Sequence, residues 1–194
     1  MSVPEPAAAT LETAKRSDAV RNRRRVLAAA EAVFAERGVE AGVPEIAERA
    51  GVGKATVYRS FPTKEHLIAA VAVARLEDFE QRVRAQLEAP DAWQALHDLL
   101  ADSAVRQCAD RAITAALASG VAQEQLAAAR GSMWEAVGAL MERGKAEGRL
   151  APEVTAADLR VLWAGVTRVL AQDGNADPAA WRRYAGLVLR ALSA

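Results

Sequence analysis

Residues 44–61, PEIAERAGVGKATVYRSF, decide the fold that this sequence predicts. Pro44 suits the first turn of a helix, where its missing N–H costs nothing. Gly51 supplies a tight turn, and residues 54–61 predict a second helix of about two turns. A small residue, Ala47, lies where the two helices must cross closely. This spacing is typical of a helix-turn-helix, whose second helix can enter the major groove of DNA.

The outward side of the second helix carries chemistry suited to nucleic acid. Val57 is expected to pack inward onto the first helix. The opposite side then presents a mainly cationic and hydroxyl-bearing set, Lys54, Ala55, Thr56, Tyr58 and Arg59. Cations and hydroxyls bond phosphates and base edges. Spacing alone leaves a second interpretation open, a helical hairpin in an ordinary bundle whose polar residues only face water.

The flanking sequence predicts helices throughout. Apolar residues recur at three- and four-residue steps from Asn22, and Gly38 ends that helix. Thr63 is expected to cap a long helix that runs from Lys64 to about Glu88. Stop and cap signals then predict helices at about 91–108, 110–119, 122–147 and 155–172, the last of them capped by Thr155, and a final helix that opens at Asp177-Pro178 with Asp177 as its cap. Because no strand pattern occurs, we expect an all-α fold of about nine helices. Residues 1–20 lack a usable period and are expected to be disordered.

Composition excludes several classes of protein. Of the 194 residues, 52% are hydrophobic but only 5% are aromatic, which favours helices over sheets. No apolar run approaches the roughly 20 residues that span a membrane, and the N-terminus has no secretory pattern. Cys108 is the only cysteine, so no intrachain disulfide can form. His66 and His97 fit no metal-ligand pattern. We therefore expect a cytoplasmic protein without metal, cofactor or catalytic residues.

Charge is unevenly distributed along a chain whose net charge is zero. The first 64 residues hold eleven Lys and Arg against eight Asp and Glu, and the segment from Lys15 to Arg25 holds six of these bases. A basic front end is compatible with a focused DNA footprint. The run RNRRR at residues 21–25 is either an arm that touches DNA or the solvated start of a helix.

Residues 44–67, PEIAERAGVGKATVYRSFPTKEHL, resemble the signature of the tetracycline-repressor (TetR) family of bacterial regulators. An upstream A-x-x-x-F-x-x-x-G helix, Ala30 to Gly38, extends the resemblance. It implies a helix-turn-helix DNA-binding domain at residues 21–82, with its motif at about 45–64, after the 1–20 tail. It further implies a helical effector-binding and dimerisation domain at residues 83–194.

The resemblance also implies roles for individual residues. Lys54 and Ala55 would face the major groove, and Arg59 would reach a base or the backbone. The expected phosphate contacts are Thr56, Tyr58 and Lys64. Many members carry Thr or Ser at the starts of helices two and three, where this chain has Gly42 and Gly53. Glycine is tolerated at a cap, but one phosphate contact is in doubt.

Two residue sets are candidate sites, and all their members lie in the second domain except Phe79, which lies just before it. A ligand cavity needs apolar walls with a few polar groups, and the candidates are Phe79, Trp93, His97, Met133, Trp134 and Met141. Ordinary core packing is the alternative for each of them. The last two helices carry two apolar faces, Leu159, Leu162, Trp163, Val166, Leu170, Trp181, Tyr184, Leu187 and Val188. The resemblance makes these faces the homodimer interface, and packing within the protomer is the alternative.

We expect a repressor that binds a palindromic double-stranded DNA operator as a homodimer and is released by a small-molecule effector. The alternative is a ligand-independent architectural or cell-division regulator of the same fold. An α-helical enzyme is a third class, and the sequence offers it no catalytic constellation.

Overall fold

The computed structural model describes residues 6–109, 119–175 and 177–194. They form eight helices and no strand. These are α1 (Pro6–Arg37), α2 (Val43–Ala50), α3 (Lys54–Ser60), α4 (Lys64–Ala85), α5 (Ala92–Ala109), α6 (Gln123–Ala146), α7 (Ala156–Gln172) and α8 (Pro178–Arg190). The all-α prediction is confirmed. The short helix predicted around 110–119 lies, except for residue 119, outside the described residues. No helix in the described part of the chain is long and apolar enough to cross a membrane.

Helix α1 is longer than the sequence predicted. It begins at Pro6 and continues to Arg37, whereas a disordered tail was expected up to residue 20. The expectation relied on the lack of an apolar period, but Ala, Leu, Glu, Lys and Arg in this stretch have high intrinsic helix propensity. Propensity without amphipathicity gives a helix whose sides are solvated. Residues 17–21 are indeed all exposed.

Among the described residues, one compact unit comprises 6–71 and 119–121 and the other comprises 72–109, 122–175 and 177–194, so that the first boundary, Val71/Ala72, lies within α4. The sequence placed the domain boundary at 82/83. In the first unit α1, α2 and α3 pack on one another, and the start of α4 belongs to the same unit. Its core holds Val26, Val33, Phe34, Ile46 and Leu67, each at most 2% exposed. Burial of such side chains contributes roughly 1.5–3 kcal/mol each.

The turn between α2 and α3 is a Schellman motif. Gly51 adopts φ 63° and ψ 41°, the left-handed conformation that glycine adopts without strain. The Val52 N–H donates to the Ala47 carbonyl and the Gly51 N–H to the Glu48 carbonyl, each at 3.0 Å. These bonds satisfy the last carbonyls of α2 and reverse the chain. The turn that the sequence predicted at Gly51 is confirmed.

In the second unit α5, α6, α7 and α8 surround one apolar core. Leu96, Leu140 and Leu159 lie at its centre and are at most 1% exposed. The caps that the sequence predicted are present. Thr155 and Asp158 form a reciprocal capping box at the start of α7, and the Asp177 carboxylate accepts the Ala179 N–H at the start of α8.

The joint between α4 and α5 is held by two charged residues at the end of α6, Arg143 in its last turn and Glu147 directly after it. The Arg143 guanidinium donates to the carbonyls of Leu87 and, at 2.7 Å, Ala89, just beyond the end of α4. The Glu147 carboxylate accepts the Ala92 N–H at 3.0 Å, at the start of α5. A cation at a helix C-terminus and an anion at an N-terminus both match the helix dipole. Local sequence patterns do not indicate these contacts, because the partners are 54 to 56 residues apart.

Candidate nucleic-acid interface

Helix α3 is anchored to the first unit by two apolar side chains. Val57 is 1% exposed on the helix itself, and Phe61, directly after it, is 2% exposed. The remaining residues of the helix are therefore turned toward its outer side. The inward packing predicted for Val57 is confirmed.

The outward side of α3 carries the residues that the sequence proposed for DNA. Lys54, Ala55, Tyr58 and Arg59 are exposed. Thr56 is half-buried, and an Arg59 Nη lies 3.5 Å from its hydroxyl oxygen. Lys64, at the start of α4, is also half-buried. The set combines cations, hydroxyls and a phenol on one short helix, which suits contact with a nucleic-acid groove. Its role in DNA binding stays a prediction.

Two arginines of α1 hold this helix-turn-helix in place. The Arg23 guanidinium donates to the Ser60 carbonyl at 2.8 Å, at the end of α3, and lies 4.2 Å from the centroid of the Phe61 ring. The Arg25 guanidinium donates to the Gly51 carbonyl at 3.4 Å. Both bonds satisfy carbonyls that helix ends leave unpaired. The RNRRR run thus has an intramolecular role at two positions, which neither interpretation of the run anticipated.

The other basic residues of this run differ. Arg21 is paired with Asp18 three residues earlier in the same helix, and Arg24 is exposed. Sequence spacing could not reveal the contacts of Arg23 and Arg25, because their partners are main-chain atoms 37 and 26 residues away, respectively.

Ion pairs fasten α2 to the end of α1. Arg49 forms a two-pronged bond with Glu36, each N–O distance being 2.6 Å, and Arg37 lies 2.9 Å from Glu45. The hydrogen bond from Arg49 lowers the pKa of Glu36 below its ordinary value. The two parallel bonds between Arg49 and Glu36 fix the relative orientation of the two side chains as well as their distance. This ion pair therefore helps to orient α2 on α1 although both side chains are exposed.

The N-termini of α2 and α3 lack side-chain caps. Gly42 and Gly53 occupy the cap positions, and neither provides a side-chain hydrogen bond. Helix α4 differs, because the Thr63 hydroxyl accepts the His66 N–H at 3.4 Å. A hydrogen bond from Thr63 also lowers the pKa of Glu65. The cap predicted at Thr63 is confirmed.

The structure places the six candidate effector residues in different surroundings. Met133 and Met141 are buried, and Met141 belongs to the core of the second unit. Phe79, Trp93 and Trp134 are half-buried against that core. Trp93 lines a surface depression of about 230 Å³ to which none of the other five contributes. The effector pocket stays a prediction.

The nine candidate interface residues divide into two groups. The structure packs five of them into the protomer's own core, Leu159, Trp163, Leu170, Trp181 and Val188. These five side chains belong to the core cluster of the second unit, as the alternative of internal packing predicts; the assignment of the nine residues to a dimer interface stays a prediction. Leu162 and Leu187 are each 39% exposed, and Val166 and Tyr184 are partly buried against the core. Val161 and Val169, which sequence analysis did not select, are 67% and 54% exposed.

Comparisons with known proteins agree with this architecture. The profile of bacterial regulatory proteins of the tetR family matches residues 26–71. A TetR transcription regulatory protein from Mycobacterium vanbaalenii is 34% identical, with a TM-score of 0.65 over 81% of this chain and 97% of that one. The TetR transcriptional regulator SCO0520 from Streptomyces coelicolor is 30% identical, with a TM-score of 0.69 over 88% and 98%. The chain belongs to the TetR family and has the fold of its DNA-binding transcriptional regulators.

A more distant structure shares the fold. RolR, in complex with resorcinol, is 22% identical, with a TM-score of 0.61 over 91% of this chain and 90% of that one.

A search of curated proteins found no significant match. Regulators of the family are generally non-enzymatic DNA-binding proteins. Among the described residues, no three His, Cys, Asp or Glu side chains lie together as a metal site would require.

Proposed function

We propose that this chain is a homodimeric repressor that binds an operator sequence through α3 and leaves it when a small molecule binds the second unit. The observation that carries the DNA-binding part is the outward face of α3. Lys54, Tyr58 and Arg59 are exposed there, while Val57 fixes the helix to the core beneath. A rigid helix with exposed cations and hydroxyls meets the requirements for reading a major groove.

The proposed dimer surface is the exposed face of α7. Val161, Leu162, Gly165 and Val169 follow one another at helical spacing, and all four are exposed. A Cβ added at Gly165 would meet nothing within 4 Å, so this face leaves room for close approach of another helix. Four of the six large exposed hydrophobic residues among those described lie on α7 and α8. A contiguous apolar stripe of this kind favours burial against a second copy.

The dimer proposal is tested by placing charge in this stripe. Leu162→Glu combined with Val169→Glu would bring carboxylates into an apolar interface, at a cost of several kcal/mol per dimer. We expect a monomer by sedimentation and a large loss of operator affinity, because two linked heads bind far more tightly than one. Ala139→Glu, at an exposed site on α6, is the matched control and should stay dimeric. A double variant that remains dimeric would place the interface elsewhere.

The effector proposal rests on the family and on α4. Ligand-responsive repression is typical of the family, and RolR shows the fold with a small phenol bound. Helix α4 contributes residues to both units of this chain. A ligand that binds one conformation of the protein more tightly than another, where the two differ in the placement of α4, would shift the equilibrium toward the first conformation. The spacing between the two recognition helices of the dimer would change with it.

Selection of binding sites from random duplexes tests the function as a whole. We expect enrichment of a palindrome whose half-sites lie about one helical turn, roughly 34–36 Å, apart. Enrichment of a single unpaired half-site would contradict the dimer, and no enrichment would contradict sequence-specific binding. The protein bound to the enriched duplex then provides the assay for candidate effectors.

A further inference from the structure

A groove of about 360 Å³ lies beside α3 in the first unit. One wall belongs to α1 and holds Ala19, Val20 and Asn22. The other wall belongs to α3 and holds Thr56, Arg59 and Ser60. This groove exists because α1 extends well before Asn22, where the sequence placed its start. Arg23 of α1 also lines the groove, and it joins the two helices through its hydrogen bond to the Ser60 carbonyl of α3.

The two walls differ in chemistry. Val20 is 52% exposed, and it is one of two large hydrophobic residues exposed in the described part of the first unit. The facing wall offers the Thr56 hydroxyl and the Arg59 guanidinium, 3.5 Å apart, so that both can bond one anionic oxygen. The groove therefore pairs an apolar side with a cationic and hydroxyl-bearing side.

Arg23 fixes the separation of the two walls of the groove. Its guanidinium is already bonded to the Ser60 carbonyl and stacked on Phe61. It therefore acts as a tie between α1 and α3, while Arg59 across the groove is exposed. The distance between the walls is thus set by the protein before any ligand arrives, which lowers the cost of binding.

We propose that this groove receives the sugar–phosphate backbone of a DNA strand beside the major groove that α3 enters. A nucleic-acid backbone alternates an apolar sugar with an anionic phosphate, and the two walls match these two parts. Deoxyribose packs on Ala19 and Val20, and a phosphate oxygen accepts bonds from Arg59, Thr56 and the Asn22 amide. Arg59 is thereby assigned to the backbone, which leaves base reading to Lys54 and Ala55. The assignment rests on the proposed function of α3.

If the groove binds the DNA backbone, substitutions in it should change the affinities for operator and scrambled duplexes in a specific way. A contact to the backbone carries no sequence information, so its loss weakens all duplexes alike. Loss of one phosphate contact also reduces the salt dependence of binding by about 0.9 in log–log slope per head. Arg59→Ala should show both effects. A side chain that reads a guanine would instead weaken the selected operator more than a scrambled duplex.

The decisive variant is Val20→Glu, with Ala28→Glu as its matched control. Both residues are exposed on α1 and both variants add one negative charge, but Ala28 does not line the groove. We expect Val20→Glu to weaken operator and scrambled duplexes by the same factor, about tenfold or more beyond Ala28→Glu. Hydroxyl-radical footprinting of the wild-type complex should show protected sugars at the flank of each half-site, and this protection should be lost in Val20→Glu. Circular dichroism confirms that each variant is folded.

Two outcomes would overturn the proposal. Val20→Glu and Ala28→Glu binding equally well would show that the groove is empty in the complex. A loss confined to the operator, in Val20→Glu or in Arg59→Ala, would show that the groove reads bases instead of binding the backbone. Should Val20→Glu not fold, Arg59→Ala supplies the same comparison from the other wall. A wild-type protein that binds no duplex at all would contradict the proposed function itself, a result distinct from the first two.

Discussion

The two glycines that flank Val52 should respond oppositely to the same substitution. Gly51 has φ 63°, and a Cβ there would lie 2.6 Å from an Arg25 nitrogen. Gly53 has φ −72° and ψ 151°, an extended conformation open to any residue, and a Cβ there would meet nothing within 4 Å. Serine is therefore strained at the first position and accommodated at the second.

The size of each effect follows from these geometries. Gly53→Ser adds a hydroxyl at the N-cap of α3, worth a few tenths of a kcal/mol, and restricts the unfolded chain by about 0.4–1 kcal/mol. The sum is a stabilisation of about 0.5–1.5 kcal/mol. Gly51→Ser must hold a left-handed backbone and displace Arg25, at a cost of about 1–3 kcal/mol. For a chain of this length 1 kcal/mol shifts the Tm by about 2–4 °C.

Thermal unfolding followed by circular dichroism checks the pair. We expect the Tm to rise by about 1–6 °C in Gly53→Ser and to fall by about 2–12 °C in Gly51→Ser. Each variant is the control for the other, because the residue introduced is the same and the sites are two positions apart. Tm shifts of the same sign in both variants would refute the conformations assigned to the turn.

Three further predictions concern the second unit. Arg143→Met removes the hydrogen bonds to the carbonyls just beyond the end of α4. We expect the free energy of unfolding, measured by denaturant titration, to fall by about 2 kcal/mol. An unchanged denaturation midpoint would show that these bonds do not stabilise the fold. Thr155→Ala should cost about 1 kcal/mol at neutral pH. The hydrogen bond from the Thr155 side chain lowers the pKa of Asp158 in the folded protein. The stability that this bond contributes is therefore present above the ordinary pKa of Asp158 and is lost as pH falls through the lowered pKa. A loss of stability in Thr155→Ala that stays constant down to pH 2 would contradict this. An effector should change tryptophan fluorescence and release operator DNA together, and an effector with full affinity for a Trp93→Ala, Trp134→Ala variant would place the pocket elsewhere.

The sequence was most informative where local chemistry determines the backbone. The turn at Gly51 and the caps at Thr63, Thr155 and Asp177 all appear in the structure as predicted. Each depends on residues within a few positions of one another. Signals of this kind are contained in a short window of sequence, so no knowledge of the tertiary fold is needed to use them.

Features that depend on distant partners were not predictable. Arg23 and Arg25 looked like a solvated or DNA-touching run, because nothing in the sequence indicates that their guanidinium groups reach the Ser60 and Gly51 carbonyls. Trp163, a large aromatic residue, was expected at a dimer surface, and within the protomer its side chain packs in the core of the second unit. Periodicity marks an apolar face without saying whether the protomer or a partner covers it.

The central claim, sequence-specific binding through α3, is tested most directly by a ratio of affinities. The dissociation constants for the selected operator and for a scrambled duplex of equal length are measured at one salt concentration. We expect a ratio of at least about 10³ for the wild-type protein. We expect a roughly tenfold lower ratio for Lys54→Ala, whose side chain we propose to face the bases, and an unchanged ratio for Lys145→Ala on α6. A wild-type ratio near one, or a ratio that Lys54→Ala leaves unchanged, would contradict the central claim.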